Sequence, residues 1–413
     1  MKNSGIEWIG EIPNNWEVNL VKNIFDITRG RVIAKTEIEE EFMEGYYPVY
    51  SSQTANSGIL GYIPSYDFAI DSLTWTTDGA KAGTVFLRKG KYSITNVCGI
   101  LTLKTSEYSL NYLYYAVGFS AYNSRRADIN GYKIMSNEMA AISIPVPDKI
   151  EQQKIAEVLD EKCGKIDTLI ENEQKQIEKM KEYKQSVITS AVTKGLNKSA
   201  PLKDSGIDWI GEIPESWRVC PLKYCVQANM ESLSEKEDDN LQVKYIDISS
   251  VNNCGEINNL QEFLFKDAPS RARRIVKEGD IIISTVRTYL KAIAKVTAEY
   301  SDFICSTGFA VLTPNNMCDK NFLYYTLFSN VFTSKVETYS NGISYPAINC
   351  SVLVSLPIIL PSMEEQKEIA DYLDEKCGKI DEIISIKQRK IEKLQEYKKS
   401  LIYEYVTGKK EVV

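Results

Sequence analysis

The sequence predicts a mixed α/β (α+β) protein: two globular domains joined by two long antiparallel coiled-coil-like helices, related by a pseudo-two-fold tandem duplication. Three observations predict it. Residues 4–13 (SGIEWIGEIP) return as residues 205–214 (SGIDWIGEIP), at an offset of 201 and with one change. Residues 151–186 return as 365–400, at an offset of 214 and with 22 identities in 36 positions. The stretches between, 17–148 and 218–361, share only scraps such as Asn111–Tyr115 (NYLYY) and Asn321–Tyr325 (NFLYY). A solenoid repeats every 20–50 residues, so a period near 200 marks duplication of a whole module.

The elements follow in order. Residues 1–148 hold the first frame motif and a globular domain, and 149–196 the first long helix. Residues 197–361 hold a linker, the second frame motif and a second globular domain. Residues 362–408 are the second long helix and 409–413 a tail. Within the domains, Tyr92-Ser-Ile-Thr, Asp280–Val286 and Phe309–Thr313 are short and rich in β-branched residues, so they read as strands. Tyr112–Phe119 and Asn321–Ser334 read as helices.

The long blocks carry apolar residues at alternating spacings of four and three. The first seam runs Leu159, Cys163, Ile166, Ile170, Glu173, Ile177, Met180, Lys184, Val187, Ala191. The second runs Leu373, Cys377, Ile380, Ile384, Lys387, Ile391, Leu394, Lys398, Leu401, Tyr405. Such a seam is the signature of a long helix packed on another long helix. Pro147 and Pro361 stand before the helices, and Gly195 and Gly408 near their ends. The polar interruptions Glu173/Lys387 and Lys184/Lys398 fall at equivalent positions.

Composition excludes several classes of function. Of 413 residues, 43% are hydrophobic and 25% charged, ordinary for a globular protein. The 49 basic and 56 acidic side chains give −7, which argues against indiscriminate coating of polyanions. The absence of histidine removes Ser-His-Asp and Cys-His sites, HNH chemistry and His-containing zinc sites. The nine cysteines form no CxxC pair and read as buried thiols of a reducing compartment. The start, MKNSGIEW, lacks the apolar core of a signal peptide, and no stretch is long enough to span a membrane. A cytoplasmic protein without a membrane partner is expected. Neither a GxxxxGK[ST] loop nor a [DNS]PP[YFW] methyltransferase motif occurs, and no catalytic constellation stands out.

The repeated WIGEIP motif, the EQxxIAxxLDEKCGKID helix and the two dissimilar domains between them resemble the specificity (S) subunit of type I restriction–modification systems. The resemblance covers essentially the whole chain and lies in order and spacing as well as in motifs. It implies that each variable region is a target recognition domain reading one half of a bipartite, asymmetric site on double-stranded DNA. The helices would set the unread spacer and dock two modification (methyltransferase) subunits, with restriction (translocase and endonuclease) subunits joining the full complex. This chain would be non-catalytic and bind no cofactor; S-adenosylmethionine, ATP and Mg2+ would belong to the partners. From another class comes the alternative of a coiled-coil scaffold or adaptor without DNA sequence specificity.

Charge distribution favours DNA over the adaptor. Residues 77–104 carry +4 and residues 266–298 carry +5, so the overall negative charge hides a basic patch in each variable domain. In the first domain the candidates for DNA contact are Thr76, Thr77, Asp78, Lys81 and Thr84, in a loop whose glycines permit close backbone approach. Arg125, Arg126, Asn130 and Lys133 form a second cluster. Ser51, Ser52, Gln53 and Asn56 form a third, rich in amides and hydroxyls. In the second domain the candidates are Arg271, Arg273 and Arg274, then Ser284, Thr285, Arg287, Tyr289 and Lys291, then Asn341, Gly342 and Ser344. The Asn130-Gly131 and Asn341-Gly342 pairs read most simply as turns.

Overall fold

The computed structural model describes residues 1–129, 131–342 and 345–412. The chain divides into two compact units, Met1–Gln174 with Gln388–Val413, and Lys175–Lys387. The division falls inside the long helices, because each unit holds the first half of one helix packed on the last half of the other.

Those helices are Lys149–Lys194 and Met363–Val406. At 1.5 Å per residue each is roughly 65–70 Å long. Each begins at a side-chain cap. Glu151 N–H donates to Asp148 Oδ1 at 2.9 Å, and Glu365 N–H to Ser362 Oγ at 3.2 Å, with Ser362 N–H returning to Glu365 Oε2 at 3.2 Å. This is the capping-box arrangement, which satisfies amides that the first turn leaves unpaired. Each helix stops at a left-handed glycine, Gly195 with φ 71° and Gly408 with φ 67°.

Within each unit the two helix halves run antiparallel, and one ion pair recurs. Lys398 Nζ reaches both oxygens of Asp167 at 2.6 Å, and Lys184 Nζ reaches those of Asp381 at 2.8 and 2.6 Å. The lysines are the polar interruptions of the seams, and the aspartates end the repeated KCGKID. Glu173 is buried and accepts from Lys390 Nζ at 2.6 Å, and Lys387 donates to Gln176. A charged seam residue thus has a partner where an exposed one would need none.

The variable domains have the same topology despite their unlike sequences. In the first, strands Val85–Arg88, Ser72–Thr76, Cys98–Leu103 and Phe25–Arg29 form one sheet in that order. A second sheet orders Ile59–Ile63, Tyr47–Tyr50, Lys91–Ile94 and Phe68–Ala69, its central pair parallel. In the second domain the corresponding orders are Ile293–Lys295, Ile281–Ser284, Phe309–Pro314, Val226–Ala228 and Gln261–Leu264, Gln242–Ile246, Ile304–Ser306, Ala272–Ile275. The pair Gln242–Ile246 with Ile304–Ser306 is again parallel. Strands such as Ile281–Ser284 are buried throughout, which explains their unbroken apolar runs.

The first domain's helix spans Leu110–Ser124. The single helix expected over 321–334 is two, Lys320–Phe328 and Asn330–Thr338. Ser329 breaks it: extended at φ −65° and ψ 148°, it caps the second helix by accepting from Phe332 N–H at 3.4 Å.

The sequence scraps shared by the two domains are their anchors to the long helices. Tyr115 donates to Asp160 and Tyr325 to Asp374, both at 2.7 Å. Gln152 accepts from Ser109 N–H and Gln366 from Asp319 N–H, both at 2.8 Å. The frame motifs are anchored alike: fully buried Trp16 donates Nε1–H to Glu151 at 3.0 Å, and Trp217 to Glu365 at 3.1 Å. The N-terminal frame also meets the end of the second long helix. Lys409 Nζ donates to Ile9 O at 2.8 Å, and a Cβ at Gly408 would lie 2.3 Å from Pro13.

Candidate nucleic-acid interface

The two loops singled out in the sequence, one in each domain, are the same hairpin connection. Residues 77–84 join Ser72–Thr76 to Val85–Arg88, and residues 285–292 join Ile281–Ser284 to Ile293–Lys295. Each loop is pinned by the same threonine. Thr77 Oγ1 donates to Val97 O at 3.0 Å while its carbonyl accepts from Ile134 N–H at 2.8 Å. Thr285 Oγ1 donates to Gly308 O at 2.8 Å while its carbonyl accepts from Ile348 N–H at 2.8 Å.

The structure brings the three first-domain clusters to one end of the domain. Asp78 and Gly79 pair with Lys133 and Tyr132 in a small sheet. Ser51 Oγ accepts from Thr95 Oγ1 at 3.1 Å, two residues before the Val97 carbonyl that holds Thr77. In the second domain, Arg271, Asp247, Arg287 and Tyr345 line a cleft of about 440 Å3. Arg287 also donates its backbone N–H to Pro346 O at 2.7 Å, and Asn341 and Ala347 exchange backbone bonds beside it.

Several candidates are withdrawn from the surface, a correction to the expectation from sequence. Thr76, Thr77, Ser284 and Thr285 are buried. Thr76 Oγ1 donates to Lys81 O at 2.8 Å and Ser284 Oγ to Val286 O at 2.5 Å. Half-buried Thr84 likewise donates to Lys81 O at 2.8 Å. These hydroxyls shape the loops, since a buried donor must spend its hydrogen bond internally. Exposed Gln53 donates Nε2–H to Ile59 O, Ser52 is half-buried, and Asn56 is exposed with φ 47°.

The basic residues separate by partner. Arg126 pairs with Glu138 at 2.7 Å, Lys133 with Asp128 at 3.7 Å and Lys291 with Glu337 at 3.7 Å. Lys81, Arg125, Arg271, Arg273, Arg274 and Arg287 have no carboxylate within 4.0 Å among the described residues. Two of them sit on tyrosine: Arg125 lies 3.8 Å from the Tyr122 ring and 4.0 Å from Tyr132, and Arg287 lies 4.8 Å from Tyr345. The Arg271–Arg274 cluster does not face one surface. It starts an irregular strand with a register shift between Ala272 and Arg274. Exposed Arg271 enters the cleft, Arg273 lies 5.0 Å from the Phe265 ring, and Arg274 has its Nε buried without an acceptor. Arg287 and Lys291, at φ 51° and 49°, bracket exposed Tyr289 in a left-handed backbone that holds strain. Gly342 is exposed with φ 114°. Asn130 and Ser344 lie outside the described residues.

Arg88, counted in the first basic patch, is buried, and burial pushes its guanidinium down to about 10. It lies 3.5 Å from the Tyr50 ring and donates to Thr74 Oγ1 at 3.0 Å and Ser57 O at 2.7 Å. Its charge therefore braces the turn that carries Asn56. Asp247 and Tyr345 have no signal in the sequence and enter the cleft only through the fold. Among the described residues no group of three or more Cys, Asp or Glu side chains could hold a metal ion, and no helix is long and apolar enough to cross a membrane.

Comparison with known proteins agrees with this architecture. The family described as type I restriction modification DNA specificity domain matches residues 13–179 and again 214–396. The MjaVIII type I restriction enzyme specificity subunit of Methanocaldococcus jannaschii is 28% identical over 96% of this chain and 93% of its own length. A putative type I specificity subunit N-terminus of Mycoplasma pneumoniae, S.MpnORF289P, is 42% identical over 34% of this chain and 74% of its own. In fold, a solved chain from work on complex assembly and conformational transition of the type I R-M system matches with a TM-score of 0.63. That match covers 96% of this chain and 99% of that one at 13% identity. Two matching domains in tandem, each built from frame, recognition fold and long helix, place this chain in the type I restriction–modification specificity family, as a DNA sequence-specificity subunit.

Proposed function

We propose that each variable domain reads one half of a bipartite, asymmetric DNA site, and that the long helices set the spacer and dock two methyltransferase subunits. One observation carries this reading: the same hairpin loop is presented by the same topology in both domains, with unrelated side chains on it. Equal scaffolds with unequal loops are what two different half-sites require. Lys81 and Arg125 in the first domain, and Arg271 and Arg287 in the second, would contact phosphates. Gln53, Asn56, Asp78, Tyr289 and Asn341 are exposed side chains able to reach bases. Methyl transfer with S-adenosylmethionine, and ATP- and Mg2+-dependent cleavage by restriction subunits, belong to the partners in this reading, in the cytoplasm.

The test is methylome sequencing of a methylation-free host carrying this chain with its methyltransferase subunit. A gapped, two-part methylated motif that vanishes when this chain is omitted is the expected result. An assembled, active complex that leaves no such motif would overturn the reading. At the residue level, Arg271→Gln with Arg287→Gln should flatten the salt dependence of DNA binding. The log–log slope should fall by about two, one per lost phosphate contact. A slope unchanged in a folded double variant would remove both arginines from the interface.

A further inference from the structure

The duplication allows one place to be compared in both units. In the second unit, Lys184 and Ile188 of the first long helix face Tyr324 and Phe328 across a space of about 200 Å3. The chain walls one side of it with its own turn at residues 252–256. That turn is closed by Asn252 Oδ1, which accepts from Cys254 N–H at 2.9 Å and Glu256 N–H at 3.0 Å. Cys254 lines the space, and Gly255 sits so close that a Cβ there would lie 2.3 Å from the Tyr324 hydroxyl.

The corresponding walls in the first unit are Tyr114 and Gly118 against Lys398 and Ile402, and there they enclose an open groove of about 490 Å3. Its lining is mainly apolar and aromatic, with Phe119, Tyr122 and Tyr403 beside those four. Three differences in the chain leave it open. The connection between the first two strands of the parallel-centred sheet spans residues 247–260 in the second domain but only 51–58 in the first. Gly118 stands where the other copy has Phe328, at the offset of 210 that relates the two tyrosine pairs. Lys399 stands where the other long helix has Gln185. Its Nζ lies 5.3 Å from the Tyr122 ring, and it has no carboxylate within 4.0 Å among the described residues.

We propose that this groove seats a segment of the methyltransferase subunit bound at the first unit, one that presents an aromatic or aliphatic side chain beside a carboxylate. The proposal rests on the partner reading above and deepens it. An apolar groove that one module covers with its own chain needs a cover in the other, and the added lysine at its rim selects an acidic neighbour. The two methyltransferase sites are then unequal, because only the first offers this anchor.

The experiment titrates the full chain with the methyltransferase subunit and reads stoichiometry and affinity by calorimetry and mass photometry. Gly118→Phe installs the residue of the second copy. A Cβ at Gly118 meets only Val85, at an ordinary contact distance of 3.6 Å, and an unchanged thermal unfolding curve verifies the fold. Lys399→Glu is the second variant and leaves the groove's shape intact. Each should weaken one of two binding events by about tenfold or more and leave the other unchanged. Both variants binding like the wild type would overturn the groove while sparing the partner reading. A wild-type chain that binds no methyltransferase subunit would overturn both. Self-association of the chain alone, abolished by Gly118→Phe, would overturn the proposal in favour of a second copy as occupant.

Discussion

Exchanging residues 17–148 for those of a relative with a different specificity should change one half of the methylated motif completely and leave the other half as it was. The reason is geometric. The hairpin loop at 77–84, the turn at 51–58 and the strand Gly131–Lys133 all lie within that segment, and all meet at one end of the first domain. The second domain's cleft is lined only by its own residues, Asp247, Ile248, Arg271, Val286, Arg287 and Tyr345. The exchange works only if the anchors survive, so the incoming segment must keep a tyrosine to meet Asp160 and an amide at the helix cap to meet Gln152. Methylome sequencing reads the outcome directly. Alteration of both halves, or of neither, in an assembled complex would sink the division of labour between the domains.

Trp217→Ala should be the most damaging single substitution in the second unit. The ring is 1% exposed and belongs to the large core formed with Ile213, Leu222, Leu360 and Ile369. Its removal leaves a cavity at the junction of frame motif and helix start, which costs about 3–5 kcal/mol for a large aromatic. It also strips Glu365 of the indole donor at 3.1 Å. Trp217→Phe keeps most of the packing and loses that bond, so it should cost about 1–3 kcal/mol. Urea unfolding followed by circular dichroism measures both. A loss below about 1 kcal/mol for the alanine variant would show that the frame motif does not brace the helix.

How much of this was legible in advance depends on the range of the interactions concerned. Tandem duplication, frame motifs and long helices were visible because each is written in consecutive residues. The seams at Cys163, Ile166 and Ile170 and at Cys377 and Ile380 are buried as their periodicity requires, and Gly195 and Gly408 end the helices. The basic loops were visible too, as segments. Which of their side chains reach solvent was not. The Arg271–Arg274 run divides because a strand alternates its faces and this one carries an irregularity, neither of which composition reveals. Thr76, Thr77, Ser284 and Thr285 read as base-reading hydroxyls, yet their partners are backbone carbonyls, two residues away for Ser284 and five for Thr76 but 20 for Thr77 and 23 for Thr285.

The variable domains make the same point at larger scale. Nothing in 17–148 and 218–361 announces a common fold beyond NYLYY and NFLYY, because β-sheet partners are chosen by burial and long-range pairing that many sequences satisfy. Local pattern and repetition therefore established the architecture, the family resemblance and the two candidate loops. The equivalence of those loops, the burial of Arg88, the cleft around Arg287 and the groove left open at Gly118 arose from contacts between residues distant in the chain, which exist only once it is folded.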